Sequence, residues 1–257
     1  MGYKHMQLLN QKLIQHFLTN NHTIDTTTNE LKLEPVKYRW THGATDLHLG
    51  DGLLVYSLIL FNRAKTCVCI GSGGGFIPRL MTQARKDLWE QKIFEGNNST
   101  EWGDIGTTLI IDAANGVGGF TDWTEENSFL RKHFDPQVIL ETSERAFYDY
   151  FVRQDIKIDY LHIDGDHSYE GVKKDFELYS TIMSENGIIT IHDTDQNYHN
   201  TFVVTENAKK DFVPFDGPAK FIKDLEKNID WNLVKLNNFR MFDKITSTTG
   251  FTILTRK

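Results

Sequence analysis

The stretch IDGDHSYEGVKKDF, residues 163–176, closes an apolar run with two aspartates, a glycine and a histidine. A second run, GIITIHDTD at 187–195, closes on His192, Asp193 and Asp195. A lone aspartate at such a place is ordinarily a turn residue or a helix cap, whereas several aimed at one point suit a site that holds a cation or moves a proton. If the two runs are neighbouring parallel strands, Asp164 and Asp193 stand at one sheet edge, roughly 5 Å apart strand to strand and able to share an ion. Metal binding is the expected use of the pair.

A third cluster has a different chemistry. GSGGGF, residues 71–76, follows the run TCVCI and precedes a helical pattern. A glycine-rich turn between a buried strand and a helix exposes backbone N–H groups to a ligand. The nicotinamide fingerprint G-x-G-x-x-G requires glycine at 76, and this chain has Phe76 there. What remains is G-x-G-x-G at Gly71, Gly73 and Gly75.

The elements that must position these residues alternate. TCVCI (66–70), TTLIID (107–112), QVILE (137–141), YLHID (160–164), GIITIHD (187–193), NLVKL (232–236) and GFTILTRK (250–257) read as strands, with helical stretches at 51–62, 76–90, 143–154, 168–183 and 217–228 between them. Alternation of this kind predicts an α/β, doubly wound, Rossmann-like sheet of seven strands with the last one antiparallel. Ser143 and Ser168 mark helix starts. Residues 91–106 are polar and rich in glycine and asparagine, which predicts an insertion. Upstream, 5–19 carries apolar residues at helical spacing, and 20–47 reads as an irregular loop with the aromatic knot Tyr38, Trp40 and His42. This divides the chain into an N-terminal helix and loop over 1–50, a lid or subunit contact, and one domain over 51–257 with an acceptor-side segment at 196–231.

Bulk properties narrow the partners. A net charge of −7 argues against general binding to nucleic acid or acidic membranes, and the 39% hydrophobic share supports one large core. Cys67 and Cys69, alternate residues of one strand, share a face and are too close in sequence for an ordinary disulfide, so they read as buried thiols in a reducing compartment. No signal-peptide pattern or long apolar window occurs, and a cytoplasmic location is expected.

The G-x-G-x-G loop resembles the first motif of class I S-adenosylmethionine-dependent methyltransferases. The runs HIDGDHSYEGVKKDFELY and ENGIITIHDTD resemble the macrocin O-methyltransferase and cephalosporin-hydroxylase-type branch of that class, over residues 65–195. The resemblance implies S-adenosyl-L-methionine held by Gly71, Ser72, Gly73 and Gly75, with Asp112 on the ribose hydroxyls and Ser143 added to the cofactor set. It also implies a divalent metal, magnesium or manganese, on Asp164, His192 and Asp193, and His167 as base, with Asp164 counted among the catalytic groups. Where that branch has a carboxylate, this chain has His192. Either the ion is a borderline metal such as manganese or iron, or His192 turns aside and Asp195 serves.

The implied reaction is O-methylation of a small acceptor, a sugar, a nucleotide-linked compound or a polysaccharide precursor. Relatives often form homo-oligomers, and the first helix suits either a subunit contact or a cover for its own sheet. Competing readings are a nicotinamide-dependent oxidoreductase, a metal-dependent hydroxylase-like enzyme and a non-catalytic S-adenosylmethionine-binding protein. Other residues have plainer expectations. His162, inside a strand, reads as a packed core residue, Tyr169 and Phe176 as core-facing, and Lys173 and Lys174 as a solvated helix side. His42, beside Trp40, is a candidate cover for the cofactor.

Overall fold

The computed structural model describes residues 42, 49–72, 75–94, 106–113, 129–195, 216–236 and 250–257. The expected helix at 5–19, nearly all of the 1–50 unit, Gly73 and the 196–215 part of the acceptor-side segment lie outside these residues.

Seven strands form one sheet: β1 (Thr66–Ile70), β2 (Thr107–Ile111), β3 (Gln137–Ile139), β4 (Ile158–Ile163), β5 (Met183–His192), β6 (Trp231–Leu236) and β7 (Phe251–Arg256). Their order is β3-β2-β1-β4-β5-β7-β6. The pairs from β3 to β5 are parallel, while β7 lies between β5 and β6 and runs antiparallel to both. Strand order reverses direction at β1 and β4, the topological switch point at which ligands bind in open α/β sheets.

The helices are α1 (Asp51–Asn62), α2 (Phe76–Phe94), α3 (Phe129–Phe134), α4 (Ser143–Ala146, continued by a π-helical turn at Phe147–Val152), α5 (Tyr169–Tyr179) and α6 (Gly217–Leu225). Alternate residues of β1 separate the two cores: Val68 and Ile70 pack with Phe147, Phe176 and Phe221 on one face, while Cys67 and Cys69 pack with Val55, Phe76 and Leu80 on the other. Burial on both faces explains why the central strands read as continuous apolar runs without polar alternation. The two cysteines are free and buried on one face, as their spacing requires.

Several boundaries differ from the expectation. α2 continues through Phe94, so the helix takes up the first residues assigned to an insertion at 91–106. β5 begins at Met183, four residues earlier than the glycine suggested, because Met183 already pairs with Ile158 across a register shift. Ser168 caps α5 by accepting from the Gly171 N–H. Ser143 does not cap α4; Thr142 does, accepting from the Arg145 N–H. Adjacent hydroxyls make that one-residue shift invisible to sequence pattern.

Candidate active site

The site is built at the carboxyl ends of the parallel strands, and backbone hydrogen bonds continue one residue past each strand to fix it. The Gly71 N–H donates to Ile111 O at 2.9 Å, the Asp112 N–H to Ile139 O at 3.1 Å and the Asp164 N–H to Ile70 O at 2.9 Å. Three functional residues thereby lie along one edge. Gly71 has φ of 73°, and a Cβ built there would stand 2.2 Å from Asp164 O. Only a residue without a side chain lets the end of β1 approach the end of β4 so closely.

Ser72 and Asp112 meet behind the glycine loop: both the Ser72 N–H and its Oγ lie 3.4 Å from Asp112 Oδ2. Asp112 is buried, at the end of β2, on the same edge as Gly71 and Gly75. Phe76, the residue that replaces a third fingerprint glycine, is 1% exposed and belongs to the α1–α2 core. Its role is packing, which removes the geometric basis for a nicotinamide fingerprint.

Parallel pairing sets the second cluster. β4 and β5 pair Ile163 with Ile191, so Asp164 and His192 come next to each other one step later. Asp193 then turns with a left-handed φ of 58°, a conformation aspartate tolerates better than most residues and one that concentrates at functional sites. His192 Nδ1 lies 3.3 Å from Asp164 Oδ1 and 3.2 Å from Asp193 Oδ1. From the loop before α5, His167 Nε2 lies 3.2 Å from Asp164 Oδ1 and 3.4 Å from Asp193 Oδ2. One ligand atom from each of Asp164, His167 and Asp193 falls within a 4.8 Å group, and a second group of the same span joins His42, Asp164 and His192.

Electrostatics follow from burial and proximity. Burial opposes ionisation of Asp164, yet the charge on His192 and hydrogen bonds from His167, His192 and His42 hold its carboxyl well below the ordinary range. Burial likewise opposes the charge on Asp193, and His192 again lowers it. For His192, burial works against the proton, but Asp193 and Asp164 raise its affinity for one well above the usual value. Burial also works against the proton on His167, and the hydrogen bond and charge of Asp164 raise it. The two carboxylates thus favour the protonated forms of His192 and His167.

The remaining residues are placed as follows. His162 is fully buried, with Nδ1 2.9 Å from Thr190 Oγ1, and burial depresses its pKa to about 3, the behaviour of a packed core histidine. Phe176 is buried. Tyr169 packs against the core but turns its hydroxyl to Asp224 at 3.2 Å. Lys173 and Lys174 pair with Glu177 and Glu144 on the solvated side. Asp195 is buried but belongs to neither ligand group.

Sequence reasoning undervalued two residues. His42 reaches the site with Nε2 3.2 Å from Asp164 Oδ2, although pattern analysis of an irregular loop offered only its neighbouring aromatics as a signal. Asp51 was legible only as a helix start, yet its Oδ2 lies 3.5 Å from His192 Nε2.

Ser143 does not stand free at the edge, because its hydroxyl donates to Asp175 Oδ1. Asp175 is buried, and burial raises its carboxyl to about 6, with the Ser143 hydrogen bond acting in the opposite direction. A carboxyl whose folded pKa lies above its unfolded value of about 3.9 favours the fold fully below that value, and the benefit is lost as pH rises through 6. Asp175→Asn keeps an acceptor for Ser143 and removes the buried charge. Urea unfolding at pH 7 should show the variant more stable than the parent by on the order of 3 kcal/mol, with the gap closing near pH 4. A gap independent of pH would show that the charge is not the cause.

Comparison with known proteins agrees with this geometry. A family model described as a methyltransferase domain matches residues 68–194, the segment from β1 through the β5 edge. Over that segment the chain is similar to a methyltransferase domain, which is consistent with the class I S-adenosylmethionine-dependent methyltransferases. No curated protein matches it by sequence. Solved structures share its fold at low identity. The O-methyltransferase TomG from Streptomyces achromogenes, involved in tomaymycin synthesis and solved with S-adenosylmethionine, is 11% identical over 100% of this chain and 99% of its own, with a TM-score of 0.57. An S-adenosylhomocysteine-bound methyltransferase of Podospora anserina is 11% identical over 100% and 97%, with a TM-score of 0.58. An O-methyltransferase from Bacillus cereus, also with S-adenosylhomocysteine, is 11% identical over 84% of each chain, at 0.57. The methyltransferase-domain match and the buried Phe76 both count against the nicotinamide oxidoreductase reading.

Among the described residues, no helix is long and apolar enough to cross a membrane.

Proposed function

We propose that this methyltransferase is a metal-dependent O-methyltransferase, acting on a hydroxyl of a small acceptor such as a sugar, a nucleotide-linked compound or a polysaccharide precursor. The observation that carries the reading is the convergence of Asp164, Asp193 and His167 at the same strand edge as the glycine loop and Asp112. The donor set fits a cation on a structural ground. Asp193 Oδ1 is buried and faces the His192 ring at 3.2 Å without the alignment of a full hydrogen bond, a carboxylate oxygen that a cation would complete. Asp164, Asp193 and His192 would hold the ion, magnesium, manganese or a related divalent metal.

S-adenosylmethionine brings an activated methyl group, so the protein must supply a nucleophile and a line of attack. A divalent cation, when bound, supplies Lewis acidity that lowers the pKa of a coordinated hydroxyl and helps orient it. Asp112 offers two carboxylate lone-pair directions suited to vicinal ribose hydroxyls, on the same edge as Gly71 and Ser72. The charges of Asp164 and Asp193 favour the protonated form of His167. With a cation held by these carboxylates, His167 Nε2 would be placed to take the acceptor hydroxyl's proton, and the O–C bond would form as the S–C bond of the donor breaks and S-adenosylhomocysteine leaves. Positioning donor and acceptor at about 3–3.5 Å accounts for much of the remaining acceleration.

The test is a mass-spectrometric screen of sugar nucleotides and related alcohols for a gain of one methyl group, run with several divalent metals and with excess chelator. Turnover should vanish on chelation and return with metal, and a thermal shift should appear with S-adenosylhomocysteine but not with NAD. An undiminished rate in chelator would reject the metal role, and methylation at nitrogen or carbon alone would reject O-transfer. For the cofactor assignment, Asp112→Ala should weaken S-adenosylhomocysteine binding by roughly 10–100-fold in calorimetry, the loss of one or two charge-assisted hydrogen bonds. Unchanged affinity would remove Asp112 from the ribose site.

A further inference from the structure

His42 belongs to a segment that sequence pattern leaves irregular, yet its side chain is 7% exposed and lies in the site with Nε2 3.2 Å from Asp164 Oδ2. Its backbone is tied down as well, because His42 O accepts the Asp51 N–H at 2.7 Å. His42 Nε2 is engaged by Asp164, while Nδ1 has no hydrogen-bond partner among the described residues. A buried ring nitrogen left without a partner is costly unless a ligand completes it.

His192 shows which of its nitrogens faces inward. Nδ1 is turned to Asp164 and Asp193, while Nε2 lies 3.5 Å from Asp51 Oδ2, a buried oxygen that has no aligned hydrogen bond among the described residues. A carboxylate on the far nitrogen of an imidazole fixes its tautomer, orients the ring and raises its basicity toward a metal. The His42 and His192 rings are 4.2 Å apart, centroid to centroid, and one ligand atom from each of His42, Asp164 and His192 lies within 4.8 Å of the others.

We propose that His42, His192 and Asp164 form a two-nitrogen, one-carboxylate ligand face, with Asp51 as the orienting carboxylate, and that this face selects a first-row transition cation such as iron(II), cobalt(II) or zinc(II) over magnesium. Magnesium demands an oxygen-rich octahedron and keeps its waters, whereas imidazole nitrogen suits the later divalent metals. The proposal rests on the metal-dependent reading above and narrows it to a class of ion.

The test uses the full chain, stripped of metal. Cobalt(II) is titrated and followed by its visible absorption, and equilibrium dialysis with magnesium in competition is read by elemental analysis. One cobalt should bind per chain, preferred over magnesium by about tenfold or more, and His42→Gln should weaken cobalt binding by about tenfold or more while leaving magnesium binding within about twofold. Asp51→Asn should weaken cobalt binding in the same direction. Equal affinity of the parent for magnesium and cobalt, or unchanged cobalt affinity in His42→Gln, would overturn the proposal. If His42→Gln does not fold, pulsed EPR of the copper(II)-loaded parent decides: two imidazole nitrogen couplings support it, and one or none overturns it. Failure of the parent to bind any divalent cation would instead remove the metal-dependent reading itself, and this proposal with it.

Discussion

Asp164→Asn should lower methyl transfer by roughly 10³-fold, with S-adenosylhomocysteine affinity held within about threefold. The expectation comes from the position of one carboxylate. Oδ1 faces both His167 and His192, and Oδ2 faces His42, so Asp164 is common to both ligand groups. An amide in its place loses the charge that attracts a cation and presents an N–H donor where a ligand oxygen stood. Loss of Lewis-acid stabilisation of several kcal/mol corresponds to the stated drop in rate. The fold should survive, because the Asp164 N–H bond to Ile70 O belongs to the backbone. Steady-state kinetics on the acceptor found in the screen, together with calorimetry for S-adenosylhomocysteine and a thermal unfolding scan, separates the outcomes. A variant that retains a tenth of the parental rate would show that Asp164 holds no essential ion.

His167→Ala should cost about 10²–10³-fold in kcat, with a similar drop in kcat/KM and little change in cofactor binding. His167 is the least buried member of its ligand group, with a side chain 23% exposed against 15% for Asp164 and 7% for Asp193. It is thus the imidazole best placed to exchange a proton with a bound acceptor and with solvent. The pH dependence provides a second check. In the parent, the rate should rise with pH as His167 loses its proton, and in the variant that limb should disappear. Unchanged kcat, or a rising limb that persists in the alanine variant, would move the base role to another group.

The strands and their parallel majority were legible in the chain because each central strand is buried on two faces and is largely apolar along its length, whereas the antiparallel end was open until the pairing of β7 with β5 and β6 decided it. Asp112, Asp164 and Asp193 were legible for a related reason: polar residues that end such runs have no place in the core and must emerge at the carboxyl edge. Gly71 was legible as a turn, but the reason it must be glycine, contact with the Asp164 backbone, required the β1–β4 pairing. Thr142 in place of Ser143 as the cap depended on a one-residue choice between two hydroxyls, which pattern cannot make.

The sequence by itself determined the sheet, the edge at which its ligands gather and the residue types available there, since hydrophobic periodicity is local and each strand carries its own. Only the tertiary structure decided the composition of the cluster. His42 and Asp51 precede β1, and Asp164 and His192 lie more than a hundred residues later, so their meeting depends on how α1 docks across the sheet. Contacts between such distant positions leave no periodic mark in a chain, and it is the packing of α1 against α2 and β5 that turns an irregular histidine and a helix-starting aspartate into parts of one site.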